Sequence, residues 1–364
     1  MQFIDCSYGE GGGQIIRTAL AISTLTSKPF EADNIRIGRE QPGLKAQHLH
    51  CIKALEKLCN AKAEHAALGS KKLIYVPGKI KGGTVEIDIG TAGSVSLLLQ
   101  ALLLPSFFAG KRTKLIITGG TDGKWAMPYE YLKYIFAPHL TKFVDKFDLK
   151  LLKRGYYPKG GGKIELTIKP KFRLSDFDSF EEFHDAMLLS KNKINLAARG
   201  KLLQIRGISH ASKSLETSKV ADRQAKIAQM ALSKLNCPVN IDVQYCDTLS
   251  PGSGITLWAT FSETDELDLN NPVILGSDIL GERGKTSEAV GQEAAEQLIK
   301  EISSGAAVDS HLADNLIPFL ALFSGSMHVS EITEHTKTNI WIAEQFLGKV
   351  VKVDEASSII SAFL

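Results

Sequence analysis

The sequence lacks a long uninterrupted hydrophobic run. Its most apolar stretch, from Leu97 to Ala109, is broken by Gln100, Pro105 and Ser106, and the N-terminus has no basic segment followed by an apolar one. A helix that spans a membrane needs about 20 consecutive apolar residues, and a secretory signal needs both of those segments. We therefore expect a protein that contacts no membrane and stays in the cytoplasm.

The cysteines lack the pairing that a disulfide framework or a structural zinc site would need. There are five of them, an odd number, and none forms a CxxC motif. Reduced thiols of this kind are typical of cytoplasmic proteins.

A strong net charge is also missing. The 43 Lys and Arg residues nearly balance the 40 Asp and Glu residues, which leaves a formal charge of +3. This charge is too small for a general nucleic-acid coat, so an anionic ligand must be held by a local basic cluster. With 364 residues, of which 44% are hydrophobic, the chain can build the cores of about two domains.

Periodicity predicts an α/β protein. Apolar helices at 13–26, 93–110 and 313–325 are each followed by a more amphipathic helix, at 45–59, 128–143 and 335–347. β-type runs occur at 73–76, 85–89, 114–118 and 163–168. This triple pattern is consistent with a repeat, although chance helix spacing in an α/β protein explains it equally well.

A second unit interrupts the triple pattern. After the acidic and aromatic stretch at 172–191, strands at 202–208, 239–244 and 255–261 and helices at 218–235 and 287–302 precede the third apolar helix. The sequence therefore predicts an inserted unit within a discontinuous first domain.

Two segments could hold phosphate groups. YGEGGGQIIR, residues 8–17, places glycines and Glu10 before a helix that carries Arg17; such a turn can hold an anion, and the carboxylate suits the site only with a bridging divalent cation. IRIGREQPGLKAQHLH, residues 35–50, offers Arg36, Arg39 and His48 as a cradle for a terminal phosphate. An ordinary Gly-rich turn and a solvated basic loop are the alternatives.

Two further features stand out. RGYYPKGGG, residues 154–162, leads three glycines into a strand and so requires an unusual backbone, unless it is a plain hairpin. His335 lies at the expected start of an amphipathic helix and could act as a nucleophile or proton carrier. Spacing alone favours an ordinary histidine at that position.

Together these strings resemble the RNA 3'-terminal phosphate cyclase family. RGYYPKGGG is similar to a family motif, and GEGGGQIIRTAL, RIGREQPGLKAQHL, TAGSVSLLLQ, GGTDG, HLADN and EHTKTNI resemble further family blocks in the same order. The resemblance implies a large α/β domain of three βαβαββ-like repeats related to enolpyruvyl transferases, formed by 1–182 and 305–364. It also implies a smaller thioredoxin-like domain inserted at 183–304.

The implied activity is the ATP-dependent conversion of an RNA 3'-terminal phosphate to a 2',3'-cyclic phosphate. By resemblance, His335 carries AMP, and Glu10 holds Mg²⁺ or Mn²⁺. The positions matching nucleotide contacts are Gln100, Pro128, His311, Asp314 and Asn315, where Asn315 replaces a more frequent Gln. The positions matching contacts to the RNA 3'-phosphate are Arg17, Arg36, Arg39, Gln47 and His48.

Three other functions remain open at this point. A non-catalytic cyclase-like protein of ribosome assembly would lack the nucleotide-accepting histidine, whereas His335 is present. A protein that only binds RNA ends would leave Glu10 and His335 without a role. An enolpyruvyl transferase would not explain RGYYPKGGG. No pattern in the sequence requires an oligomer.

Overall fold

Residues 1–190 and 192–363, described by a computed structural model, form four-stranded sheets covered by helices. The strands are β1 (Gln2–Asp5), β2 (Phe30–Asp33), β3 (Lys62–Glu64), β4 (Leu73–Val76), β5 (Gly83–Asp88), β6 (Thr113–Gly119), β7 (Val144–Lys153), β8 (Gly162–Pro170), β9 (Ile194–Leu196), β10 (Lys201–Ser212), β11 (Val239–Cys246), β12 (Ser253–Ser262), β13 (Val273–Leu280), β14 (Gly325–His328), β15 (Val351–Asp354) and β16 (Ile359–Ala362). The α-helices are α1 (Gln14–Thr26), α2 (Ala46–Cys59), α3 (Val95–Phe107), α4 (Tyr129–Tyr131), α5 (Phe180–Leu189), α6 (Val220–Leu232), α7 (Ser287–Ser303), α8 (Ser310–Phe323) and α9 (Glu334–Leu347). The predicted mixed α/β class is confirmed.

Three of the sheets share one strand order. The orders are β1-β2-β4-β3, β5-β6-β8-β7 and β9-β14-β16-β15. In each sheet the first pair is parallel and the other two pairs are antiparallel. A parallel pair needs a crossover connection, and α1, α3 and α8 lie in these connections.

The fourth sheet lies in the chain between β9 and α8. Its order is β11-β10-β12-β13, with one parallel pair, β10 with β11, and two antiparallel pairs. Helices α6 and α7 pack against this sheet and against each other.

The main core surrounds α1, α3 and α8. Both α1 and α3 are buried along nearly their whole length, as their apolar sequences require. Phe107 of α3 contacts Phe319 of α8, and Phe143 lies 4.5 Å from Phe323, measured between ring centroids. This packing fixes where the N-terminal ends of the helices lie.

Two regions differ from the sequence prediction. Instead of one regular helix at 128–143, α4 continues as a π-helical turn (Leu132–Phe136) and a 3₁₀ segment (Ala137–Phe143), because Pro138 has no N–H to donate in a regular helix. The expected connection at 172–191 contains α5, which is capped by Ser179 and buries Phe183. Among the described residues, no helix is both long enough and apolar enough to cross a membrane.

Candidate active site

The N-terminal ends of three helices meet at one cavity. The cavity measures about 380 Å³, and Gln14 of α1, His311 of α8 and His335 of α9 are among its lining residues. Each of these three lies in the first turn of its helix. Because a helix N-terminus carries partial positive charge and unpaired N–H groups, the cavity is suited to an anionic ligand.

His335 is held by Gln14. The Gln14 Nε2 donates to the backbone carbonyl of His335 at 3.0 Å, and its Oε1 is in hydrogen-bond contact with Nδ1 of the imidazole. Since an amide oxygen can only accept, Nδ1 must carry the proton. The lone pair of a neutral ring is then on Nε2, which lies 3.9 Å from a carboxylate oxygen of Glu10. Burial lowers the pKa of His335, while Glu10 opposes this shift.

A chain of hydrogen bonds crosses the cavity floor. Arg17 Nε donates to Gln100 Oε1 at 2.8 Å, and Gln100 Nε2 donates to Asn315 Oδ1 at 2.8 Å. Asn315 Nδ2 in turn donates to the backbone carbonyl of His311 at 2.8 Å. Burial lowers the pKa of Arg17 to about 10, so its guanidinium stays charged at neutral pH.

Two buried carboxyl groups also face the cavity. Asp314 is on α8, and burial raises its pKa to about 7. Asp278 is on β13 of the fourth sheet, and burial raises its pKa to about 6. The fourth sheet therefore supplies part of the cavity wall. Sequence reasoning missed Asp278, because its strand carries no local motif.

Pro128 is the one predicted nucleotide residue that does not line this cavity. It immediately precedes α4 and follows Met127, which does line the cavity. The loop from Gly123 to Met127 forms this side of the wall. GGTDG at its start was the only sequence signal for the loop.

Glu10 and Arg39 lie next to His335, and Arg36 lies near Arg39. Arg39 Nη2 contacts Glu10 Oε2 at 3.0 Å. Arg36 has a positive φ of 54°, and its buried Nε has no hydrogen-bond partner among the described residues. Burial lowers the pKa of Arg36, and the nearby Arg39 adds to the effect. A positively charged cradle with an unused donor is well suited to a phosphate group.

The sequence predicts that His48 contributes to the phosphate cradle of Arg36 and Arg39. The structure instead places its ring in a buried position without charge. It is buried under Gly13, where any side chain would collide with its ring. Its Nδ1 accepts a hydrogen bond from the Lys45 N–H at 2.9 Å, and burial lowers its pKa to about 3. The ring is therefore neutral at physiological pH. Gln47 donates instead to the carbonyl of Ser94 at 3.3 Å.

Arg154 and Tyr156 of RGYYPKGGG form a buried junction and do not line the cavity, whereas residues 157–159 are exposed. Arg154 is fully buried and its Nη1 lies 2.8 Å from Asp122 and 3.1 Å from Glu130, while Tyr156 hydrogen-bonds His210 of the fourth sheet at 2.7 Å. Asp122, Glu130 and His210 are close enough to bind a metal ion, but the Arg154 guanidinium already pairs with both carboxylates. The motif therefore connects the second and fourth sheets.

The chain is similar to a single family over almost its entire length. A family model described as RNA 3'-terminal phosphate cyclase matches residues 8–353. The RNA 3'-terminal phosphate cyclase of Pyrococcus furiosus is 44% identical over 353 residues, which cover 97% of this chain and 95% of that protein. The protein of the same name from Archaeoglobus fulgidus is 41% identical over 354 residues, which cover 96% of this chain and 97% of that protein. The similarity thus includes the fourth sheet.

Proposed function

The chain belongs to the RNA 3'-terminal phosphate cyclase family, whose ATP-dependent reaction it carries out, and we propose that His335 is the residue that accepts AMP. The observation that carries this proposal is the contact between Gln14 and His335, which leaves Nε2 as the unprotonated nitrogen of a neutral ring. An imidazole in this state is a competent nucleophile at neutral pH.

The reaction proceeds through three attacks at phosphorus. The Nε2 lone pair attacks the α-phosphorus of ATP, so a P–N bond forms while the P–O bond to pyrophosphate breaks. An oxygen of the RNA 3'-phosphate then attacks the same phosphorus, and the P–N bonding pair returns to Nε2. Finally the ribose 2'-hydroxyl attacks the 3'-phosphorus and releases its proton to solvent, while the P–O bond to AMP breaks and AMP leaves, which closes the 2',3'-cyclic phosphate. Each step depends on positioning and charge neutralisation.

The nucleotide occupies the cavity beside His335. Gln100, His311, Asp314 and Asn315 line this cavity, which supports their role in binding ATP. Pro128 contributes by ending the loop that forms one wall. The convergence of helix N-termini supplies favourable partial charge for the triphosphate.

The RNA 3'-phosphate binds on the Glu10 side of His335. Arg36 and Arg39 grip the phosphate, because Arg39 contacts Glu10 next to His335, while Arg36 lies near Arg39 and has a buried Nε without a partner among the described residues. Arg17 connects this side to the nucleotide side through Gln100. Gln47 and the neutral His48 act by shaping the floor under Gly13 and the start of α3.

Glu10 holds Mg²⁺ or Mn²⁺ together with substrate phosphates. One partly exposed carboxylate close to the nucleophile fits such a site, because magnesium is commonly bound by one or two carboxylates plus phosphate oxygens. Bound there, the ion would neutralise charge on the reacting phosphates. Arg39 would then exchange its contact with Glu10 for one with the RNA phosphate.

The fold proposal is three βαβαββ repeats with one insertion. The shared strand order of three sheets supports the repeats, and the order of the fourth sheet with α6 and α7 supports a thioredoxin-like unit. Because β9 pairs with β14 of the third repeat, the insertion is better begun after Leu196 than at residue 183. The five free cysteines support a cytoplasmic location.

Labelled ATP tests the nucleophile. Incubation of the full chain with α-labelled ATP and Mg²⁺ should give an acid-labile protein–AMP adduct that His335→Asn abolishes and the control His65→Asn retains. The wild type should also make 3'-phosphorylated RNA resistant to phosphatase and leave 3'-hydroxyl RNA unchanged. An equal adduct on His335→Asn would show that another residue accepts AMP, and RNA binding without any adduct would favour the binding-only function.

A further inference from the structure

Trp125 is unusually exposed for its size. Its indole is 90% exposed, the highest value among the large hydrophobic side chains of the described residues. An apolar surface of this size is normally buried, because its contact with water is unfavourable. An exposed ring of this size can provide a flat contact surface for a ligand.

The backbone at Trp125 is also unusual. Its φ is +61°, in the left-handed region that bulky side chains rarely adopt. Residues held in such conformations are concentrated at functional sites, where the surrounding structure maintains them. At both ends of the loop the chain is held firmly, since Thr121 N–H donates to the Gly155 carbonyl at 2.9 Å and Met127 packs against the core.

The loop presents this ring at the active-site cavity. Trp125, Lys124 and Met127 line the same cavity as His335. Lys124 lies with its Nζ 5.7 Å from the indole centroid and pairs with Glu282 of the fourth-sheet region at 3.0 Å. The indole therefore lies at the edge of the cavity, next to a lysine that is paired across the wall with Glu282.

From these observations we propose that Trp125 stacks on a nucleobase bound in the cavity. A flat aromatic face is the usual protein platform for a base, and stacking tolerates any base because each has a π-face. Two substrates of the reaction carry a base: ATP and the RNA 3'-terminal nucleotide. The inference rests on the proposed function and extends it to a binding residue.

Steady-state kinetics distinguish whether the stacked base belongs to ATP or to the RNA 3'-terminal nucleotide. Trp125→Ala should raise one KM by about 5- to 150-fold, the range for loss of a stacked base, while Trp125→Phe should keep most of the wild-type value. A rise in the KM for ATP would show that Trp125 stacks on the adenine. A rise in the KM for 3'-phosphorylated RNA would show that it stacks on the terminal base of the RNA. Tyr157→Ala, which removes another exposed aromatic ring, should change neither.

Two outcomes overturn the stacking proposal. One is an unchanged KM for both substrates in Trp125→Ala, and the other is a rise in KM that Trp125→Phe does not reverse.

Trp125→Gly controls for the backbone, because glycine relieves the positive φ without restoring a ring. A return to the wild-type KM in this variant would attribute the effect to backbone strain. At saturating ATP, Trp125→Ala should still form the His335–AMP adduct. Failure of the wild type to form it contradicts the proposed function, whereas the KM values test only the stacking.

Discussion

Gln14 holds His335 through both ends of one amide group: its Oε1 accepts a hydrogen bond from the imidazole Nδ1–H, and its Nε2 donates to the backbone carbonyl of the same residue. The second bond fixes which end of the amide faces the ring. Through this contact the first turn of α1 determines which imidazole nitrogen of His335, the proposed nucleophile, is unprotonated.

Gln14→Leu should slow adenylylation of His335. Loss of the amide removes the acceptor for the Nδ1 proton, so the ring can adopt the other tautomer and other rotamers. We expect the rate of adduct formation to fall about 10-fold, in line with one lost hydrogen bond. The measurement is single-turnover labelling with ATP. Gln345→Leu, on the far part of α9, should label at the wild-type rate, and an equally fast Gln14→Leu would refute the tautomer argument.

Arg36→Ala and Arg39→Ala should separate RNA use from ATP use. Each removes a charge-assisted contact to the terminal phosphate, so the KM for 3'-phosphorylated RNA should rise about 10- to 100-fold. The ATP-dependent adduct on His335 should still form. Steady-state cyclisation and adduct labelling provide the two measurements, with the exposed Arg112→Ala as control. A loss of adduct without a change in the KM for RNA would show that these arginines act in nucleotide binding and not in RNA binding.

Asp314→Asn should change how stability depends on pH. Burial raises the pKa of Asp314 to about 7 from its ordinary value of 3.8, so the folded state binds its proton more tightly than the unfolded state. The contribution of Asp314 to the free energy of unfolding is therefore complete below pH 3.8 and is lost as the pH rises to about 7. The total loss is about 4 kcal/mol. The free energy of unfolding, measured by denaturant titration, should decrease less between pH 5 and pH 8 for Asp314→Asn than for the wild type. The exposed Asp176→Asn should keep the wild-type decrease, and parallel curves for all three proteins would contradict the prediction.

Arg154→Leu should destabilise the whole protein. It would leave the carboxylates of Asp122 and Glu130 buried without their cation, which costs about 3–5 kcal/mol for a broken buried pair. Chemical denaturation measures the loss, and the neighbouring exposed Lys153→Leu serves as control. If Arg154→Leu unfolds like the control, the junction does not stabilise the fold. Because the site lies elsewhere, folded Arg154→Leu molecules should retain His335 adenylylation.

Local patterns predicted the helices well but not the contacts between them. Apolar spacing identified α1, α8 and α9, because α1 is buried almost throughout while α8 and α9 each bury an apolar face. It could not predict that Gln14 meets His335, since no local rule relates residues 321 positions apart. β9 was missed for a similar reason: three residues become a strand only by pairing with β14. The sequence offered His48 as part of a phosphate cradle, and it could not show that burial under Gly13 lowers the pKa of this ring to about 3 and so prevents it from carrying charge.

The separation of Gln14 and His335 along the chain also affects synthesis. Gln14 on α1 is synthesised 321 residues before His335 on α9, the residue that we propose as the nucleophile. A growing chain therefore has no complete active site until α9 has left the ribosome. A chain terminated before Glu334 would lack His335, so under the proposed mechanism it would not form the AMP adduct.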